Sequence, residues 1–259
     1  MPATPAWPPR SAPRLFVTER LAPNAQLRLD GPQAHYLTRV MRAGVGDTVI
    51  VCDDQTGEWA ATIIEAGKRE IILATAQHLR PREPVPDLWL CPALLKKDRF
   101  DLVLEKATEL GVAAIRPVVT HRCVADKLNG ERGRSIITEA AEQCARTALP
   151  ALAEPVKLDR LLADWPQGRA LFFADENGGE PAAQAFTADI GPAAILTGPE
   201  GGFDDGERAA IRAHPAARPV SLGPRILRGE TATIAAVSLW MGIAGDWSAH
   251  GDCLSGAAS

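Results

Sequence analysis

At 259 residues, 46% of them apolar, the chain is long enough for two modest domains or one large one with a sizeable core. A formal charge of −4 and a pI near 5.8 exclude bulk attraction to nucleic acid. The balance is uneven, with 22 Lys/Arg against 20 Asp/Glu in residues 1–160 and 6 against 12 in residues 161–259, so any attraction to a polyanion has to be local.

Residues 1–13 are rich in Pro and Ala and contain no long apolar run, which predicts a disordered tail with neither signal peptide nor membrane span. From Arg14 to about Arg80 the pattern has period two. Thr48 to Cys52, Trp59 to Ile64 and Ile71 to Thr75 alternate between turn signals at residues 53–57 and 65–68, which reads as antiparallel hairpins in a small barrel or sheet. One helix, Pro32 to Arg42, interrupts them. His35, Arg39 and Arg42 fall on one of its faces, and Leu37, Val40 and Met41 are expected to pack on the barrel.

Pro81-Arg82-Glu83-Pro84-Val85-Pro86 is a stiff connector and the expected domain boundary. Beyond it strands and helices alternate. Strands are predicted at 88–95, 113–119, 170–174, 193–197 and 219–222. Helices are predicted from about Phe100 to Leu110, from Arg134 to Arg146 and from about Thr231 to Trp247. Alternation of this kind specifies an α/β domain with a mainly parallel sheet. The expected organisation is therefore a tail (1–13), a β-barrel (14–82), an α/β domain (83–248) and a C-terminal tail (249–259).

Cys52, Cys91, Cys123, Cys144 and Cys253 are odd in number and scattered, as expected of reduced thiols in a cytoplasmic protein. His121-x-Cys123 lacks two further ligands at suitable spacing, so no metal is expected.

The chemistry concentrates in two glycine-bearing loops, each following a short apolar strand and opening a helix: residues 196–203 (Leu-Thr-Gly-Pro-Glu-Gly-Gly-Phe) and 222–231 (Leu-Gly-Pro-Arg-Ile-Leu-Arg-Gly-Glu-Thr). On neighbouring strands they would build one pocket. Pro199 offers no N–H, and Glu200, Asp204 and Asp205 would repel phosphate, so a triphosphate or dinucleotide is a poor ligand. A ligand with hydroxyls and positive charge fits better, and S-adenosylmethionine has both. Arg225, Arg228, Glu230 and Thr231 place cations, a carboxylate and a hydroxyl at the same mouth, where Leu222, Ile226 and Leu227 could flank an adenine.

The two motifs together resemble the signature of the bacterial 16S ribosomal RNA (uracil-N3)-methyltransferase family of the trefoil-knotted SPOUT superfamily. Lesser matches stand in the same order at residues 14–16, 35–42, 106–112, 122–123 and 139–146, and the resemblance covers about residues 14–247. It implies a PUA-like RNA-binding β-barrel, then a SPOUT domain with a C-terminal trefoil knot, working as a cytoplasmic homodimer on small-subunit RNA or the assembled subunit. The final helix, with Ile234, Val237, Leu239, Trp240 and Ile243, is apolar enough for a partner face. The cofactor implied is S-adenosylmethionine, held by Leu196, Thr197, Gly198, Glu200, Gly201, Gly202, Leu222, Gly223, Ile226, Leu227 and Thr231. Glu230 is the candidate base for the N3 proton, with Arg228 or Arg225 stabilising developing negative charge. RNA contact falls to Arg14, His35, Arg39 and Arg42, which Lys96, Lys97 and Arg99 would extend. Methylation of another base or a ribose hydroxyl, or an inactive assembly factor, are the competing readings. An oxidoreductase would need a Gly-x-Gly-x-x-Gly turn after an early strand, and the chain has none.

Overall fold

In a computed structural model, residues 8, 12–67, 69–187 and 191–249 are described. Most of the expected N- and C-terminal tails, with Cys253, lies outside them. Contacts divide the chain into one unit of residues 1–84 with 141–149 and a second of 85–140 with 150–259.

In the first unit the alternating segments form a five-stranded sheet. Its strands are β1 (Arg14–Phe16), β2 (Gln26–Asp30), β3 (Thr48–Cys52), β4 (Glu58–Ala66) and β5 (Glu70–Arg80), in the order β1-β3-β4-β5-β2. β3, β4, β5 and β2 pair antiparallel, while β1 runs parallel to β3. Ile50 N donates to Pro13 O at 2.8 Å, so pairing begins one residue before β1. The inward side chains, among them Leu27, Leu29, Val49, Val51, Ile63, Ile71 and Leu73, form a continuous core, as period two requires of a sheet with one buried face. Residues 141–149 join this unit through Glu142, whose carboxylate accepts from Phe16 N at 2.8 Å, and through Leu149 N, which donates to Asp54 at 2.9 Å.

The helix expected at 32–42 is only partly formed. α1 (Gly31–His35) passes into a π-turn over Tyr36–Val40, in which Met41 N donates to Tyr36 O at 3.0 Å. Thr38 Oγ1 donates to Ala34 O at 2.8 Å, a back-bond that loosens the α ladder. The wider turn admits one extra residue. Ala34 and Leu37 therefore stay buried, but Val40 (62% exposed) and Met41 (39%) turn outward instead of packing on the sheet.

The second unit is α/β. Its strands and helices alternate as β6 (Leu88–Pro92), α2 (Lys97–Glu109), β7 (Ala114–Ile115), β8 (Val118–Val119), α3 (Gly130–Cys144, its last turn in the first unit), β9 (Ala151–Leu152), β10 (Val156–Lys157) and α4 (Leu158–Ala163). They continue as β11 (Ala170–Ala174), β12 (Glu180–Pro181), α5 (Ala182–Thr187), β13 (Ala193–Thr197), α6 (Asp205–Ala213), β14 (Ala217–Ser221) and α7 (Gly229–Ile243). Seven strands form an all-parallel sheet in the order β12-β14-β11-β13-β6-β7-β9. β11 and β13 read as unbroken apolar runs because both faces of the sheet are covered, and all of β13 is buried. The strand expected at 113–119 divides after Ile115, before Arg116-Pro117, and its second half pairs with β10 in a separate two-stranded ladder; Pro117 has no N–H for a ladder. The final helix stops at Ile243, short of Trp247, and a 3-10 turn follows at Asp246–Ala249.

The thiols of Cys52, Cys91 and Cys123 are free. Burial pushes the Cys52 thiol up to about 11 and that of Cys91 to about 12, so neither is a ready nucleophile at neutral pH.

Candidate active site

Because β11, β13 and β14 are parallel neighbours, their carboxyl ends share one edge of the sheet, and the loops leaving them meet there. They enclose a cleft lined by Asp175 and Glu176 after β11, by Gly198, Pro199, Gly202 and Phe203 after β13, and by residues 222–227 after β14. Gly229, Ala232 and Arg208 close it. The two glycine loops thus share a pocket, but not on adjacent strands. β11 lies between β13 and β14 and supplies a third, acidic wall that no motif announced.

The 198–203 loop turns back on itself and is held tightly. Phe203, 4% exposed, stacks edge-on against Phe173 with ring centroids 5.2 Å apart. Gly202 sits at φ +67, and a Cβ there would come within 2.8 Å of Glu176 Oε1. A Cβ on Gly229 would lie 2.8 Å from Leu95 Cδ2 and 3.2 Å from Gly198 O, so the start of α7 touches the first loop only because residue 229 has no side chain. Arg122 Nη1 donates to Gly201 O at 3.0 Å. Thr197 and Thr233 share a buried hydroxyl bond of 2.8 Å, and Thr233 also donates to Gly229 O at 2.8 Å, tying the end of β13 to the first turn of α7.

Just past this loop Asp204 and Glu207 form a capping box for α6, and His121 Nδ1 lies 2.6 Å from Asp204 Oδ2. Donor atoms of His121, Asp204 and Glu207 lie within 4.8 Å of one another, a spacing a metal could use, yet the carboxylates already accept from backbone N–H groups of 204, 207 and 121. The Asp204 hydrogen bond and the Glu207 charge raise the His121 pKa above 6.5. The bond from Glu207 N and that from His121 lower Asp204 below 3.8. The histidine contribution is complete below pH 6.5 and vanishes as pH rises through the raised folded value, while the aspartate contribution vanishes as pH falls through its lowered one. Urea midpoints should accordingly show His121→Ala destabilising the protein at pH 5 to 6 and converging on wild type in alkaline buffer.

Beside the cleft stands a cluster of charges. Arg99 lies 3.6 Å from Glu200 Oε1 and 3.9 Å from Glu230 Oε1, and Lys96 N donates to Glu200 Oε1 at 3.2 Å. The second oxygens, Glu200 Oε2 and Glu230 Oε2, are buried without a partner. Two carboxylates share one guanidinium and keep two acceptor atoms open, an arrangement that invites a donor from elsewhere. Arg225 and Arg228 are exposed and make no ion pair among the described residues.

Of the residues singled out in the sequence, Gly198, Gly202, Leu222, Gly223, Arg225, Ile226 and Leu227 line the cleft. Glu200, Gly201, Arg228, Glu230 and Thr231 flank these positions in the chain without lining it, and Leu196 and Thr197 are buried beneath it at 0% and 1% exposure. Sequence reasoning missed Asp175, Glu176 and Arg208. The adjacent acids after the apolar run 170–174 were the available signal. Asp175 is wholly buried between Arg208 (2.9 Å) and Arg212 (2.6 Å).

In the first unit, Arg14 is tied to Glu58 at 2.6 Å, which also accepts from Arg80 at 2.8 Å. Burial alone would raise the Glu58 carboxyl, but the hydrogen bonds from Arg80 and Arg14 outweigh it and hold the group below the usual carboxylate range. His35 and Arg39 line a surface hollow with Arg28, Arg69 and Thr38, while Arg42 lies just beyond it in the sequence.

With the cleft in view, comparison with known proteins is decisive. The family described as RNA methyltransferase domain matches residues 81–241, and the one described as RNA methyltransferase PUA domain matches residues 29–75. The chain belongs to the RNA methyltransferase family. It is 33% identical over 231 residues to Ribosomal RNA small subunit methyltransferase E of Synechocystis, covering 87% of this chain and 76% of that one. To the protein of the same name from Rickettsia conorii it is 29% identical, covering 87% and 93%. Two solved relatives share the architecture. A methyltransferase of Legionella pneumophila in complex with the cofactor SAM matches at TM-score 0.81, with 29% identity over 91% of this chain and 99% of that one. The Ribosomal RNA small subunit methyltransferase E of Neisseria gonorrhoeae, bound to S-adenosyl methionine, matches at 0.83, with 25% identity over 91% and 99%. Among the described residues of this RNA methyltransferase, no helix is long and apolar enough to cross a membrane.

Proposed function

We propose that this chain transfers a methyl group from S-adenosylmethionine to N3 of a uridine in 16S ribosomal RNA, in the cytoplasm. The observation that carries the reading is the pair Glu200 and Glu230, bridged by Arg99 and each keeping a buried, unpartnered oxygen, beside a cleft built by three parallel strands. The relatives' names supply the RNA class.

The cleft suits the cofactor. Glu176 accepts from Arg208 at 3.0 Å through Oε1 and keeps 43% of its side chain exposed, which leaves Oε2 to ribose hydroxyls or an ammonium. Leu222, Ile226 and Leu227 offer apolar surface to an adenine, and nothing lies within 4 Å of where a Cβ on Gly223 would stand. When bound, S-adenosylmethionine supplies an electrophilic methyl group. The chain's own task is to hold the acceptor and take its proton, because the N3 lone pair is free only as that proton leaves. Glu230, with Oε2 buried and unpartnered and Oε1 near Arg99, is the base. Arg225 and Arg228, which make no ion pair among the described residues, stabilise negative charge on the flanking carbonyl oxygens.

The path from β13 past β11 to β14 supports reading the second unit as a trefoil-knotted SPOUT domain, a rare exception to unknotted connection. The five-stranded unit then serves as the PUA-like barrel. Ile234, Leu239 and Ile243 remain half-buried on α7, which supports a homodimer through that helix. RNA contact falls first to His35, Arg39 and Arg42, with Arg14 contributing less because Glu58 offsets its charge.

The test incubates purified protein with labelled S-adenosylmethionine and small ribosomal subunits lacking the modification, then analyses the nucleosides by mass. Labelled 3-methyluridine supports the reading. Label in another nucleoside keeps the cofactor and rejects the substrate, and cofactor binding without transfer indicates an assembly factor.

A further inference from the structure

The surface of the first unit carries a feature that the methyl-transfer chemistry does not use. The π-turn at Tyr36–Val40 projects Val40 and Met41 outward, and Val45, on the same connection to β3, is 67% exposed. Large apolar side chains in a row on one turn are unusual on a free surface. Their surroundings are cationic. Arg39 and His35 line the adjoining hollow with Arg28 and Arg69, Arg42 follows Met41 at φ +56, and no carboxylate occurs in the sequence between Asp30 and Asp47. Two acids, Asp30 and Glu70, also line the hollow, Glu70 being paired with Arg28, so cations stay in excess.

We infer that this turn is a contact for unstacked RNA bases, with Val40 and Met41 lying against base faces while Arg39, Arg69 and His35 hold the neighbouring phosphates. Charge selects a polyanion over an ordinary protein surface. Within that class, apolar side chains gain most where bases are splayed out of the helix, since an A-form duplex presents phosphates, 2'-hydroxyls and groove edges. The surface therefore favours single-stranded or opened RNA. This deepens the methyltransferase reading and rests on it, because a base has to leave its stack before its N3 can be reached.

The test measures binding of the full chain to a labelled single-stranded RNA and to a blunt duplex of equal length, across a salt series. Val40→Ser with Met41→Ser should weaken single-strand binding about tenfold, the size expected from losing the apolar area two partly covered side chains bury, and leave duplex binding and the salt slope nearly unchanged. Arg39→Gln with Arg69→Gln should weaken both RNAs and lower the slope of log K against log salt by roughly 0.7 per lost single-strand phosphate contact. All four side chains are on the surface, and circular dichroism confirms that each variant is folded. Wild-type affinity of the Val40/Met41 variant for single strands overturns the inference, as does an equal loss on both RNAs. A change in sedimentation mass in that variant also overturns it, because the face would then join two copies of the chain. No turnover is measured, so RNA binding with this signature in a protein that methylates nothing would sink the proposed reaction and leave the surface standing.

Discussion

Replacing Glu230 by Gln should lower the single-turnover rate of methyl transfer by roughly 10² to 10⁴, the usual worth of a positioned general base, while leaving the affinity for S-adenosylmethionine nearly unchanged. The substitution keeps the shape of the side chain and the first turn of α7. Its neighbour Arg99 retains Glu200 at 3.6 Å, so the cluster does not lose its only counter-charge. Glu230 also stands outside the lining of the cleft, which separates the two readouts. Equilibrium binding of the cofactor and rapid-quench transfer to subunits decide the matter. A parallel fall in both would make Glu230 a structural member of the cleft wall, and an unchanged rate would remove it as the base.

The largest effect on stability is expected at Asp175. Its carboxylate is wholly buried and accepts from Arg208 Nη1 at 2.9 Å, from Arg212 Nη2 at 2.6 Å and from Asn177 N at 3.0 Å. Removing one partner of a buried ionic group leaves the other charge uncompensated, at about 3 to 5 kcal/mol. Arg212 is 43% exposed and partly solvated, so Asp175→Asn should fall near the lower end of that range. The exposed pair Arg160–Asp164 is the control, and Asp164→Asn should change stability by no more than about 0.5 kcal/mol. Urea unfolding of both variants measures the contrast. Because Asp175 and Arg208 also line the cleft, Asp175→Asn should weaken cofactor binding as well, and saturating cofactor should restore part of its midpoint.

Much of the architecture was legible because it rests on local periodicity. The alternation at 48–52, 59–64 and 71–75 corresponds to β3, β4 and β5, and the apolar spacing from Phe100 to Leu110 to α2. β2 was missed although Gln26-Leu-Arg-Leu-Asp30 alternates cleanly, buried at both leucines. The short helices α4 and α5, six residues each, give too few turns for a helical period to stand out. The π-turn was hidden for another reason. Its sequence has a good helical pattern, and only the Thr38 back-bond and the fit against the sheet admit the extra residue.

The sequence by itself determined the α/β grammar of residues 85–249, the alternating strands of the first unit, and the two glycine loops, since period, turn chemistry and missing side chains are properties of neighbouring residues. Tertiary structure alone decided what those residues meet. It inserted β11 between β13 and β14, so that Asp175 and Glu176 became a wall of the cleft, and it brought Arg99 to Glu200 and Glu230 across more than a hundred positions. It also bound Arg14 to Glu58 and turned Val40 and Met41 to solvent. Strand order and long-range ion pairing depend on how whole faces pack and on which charges can be buried together, and no local pattern in a single chain encodes that choice.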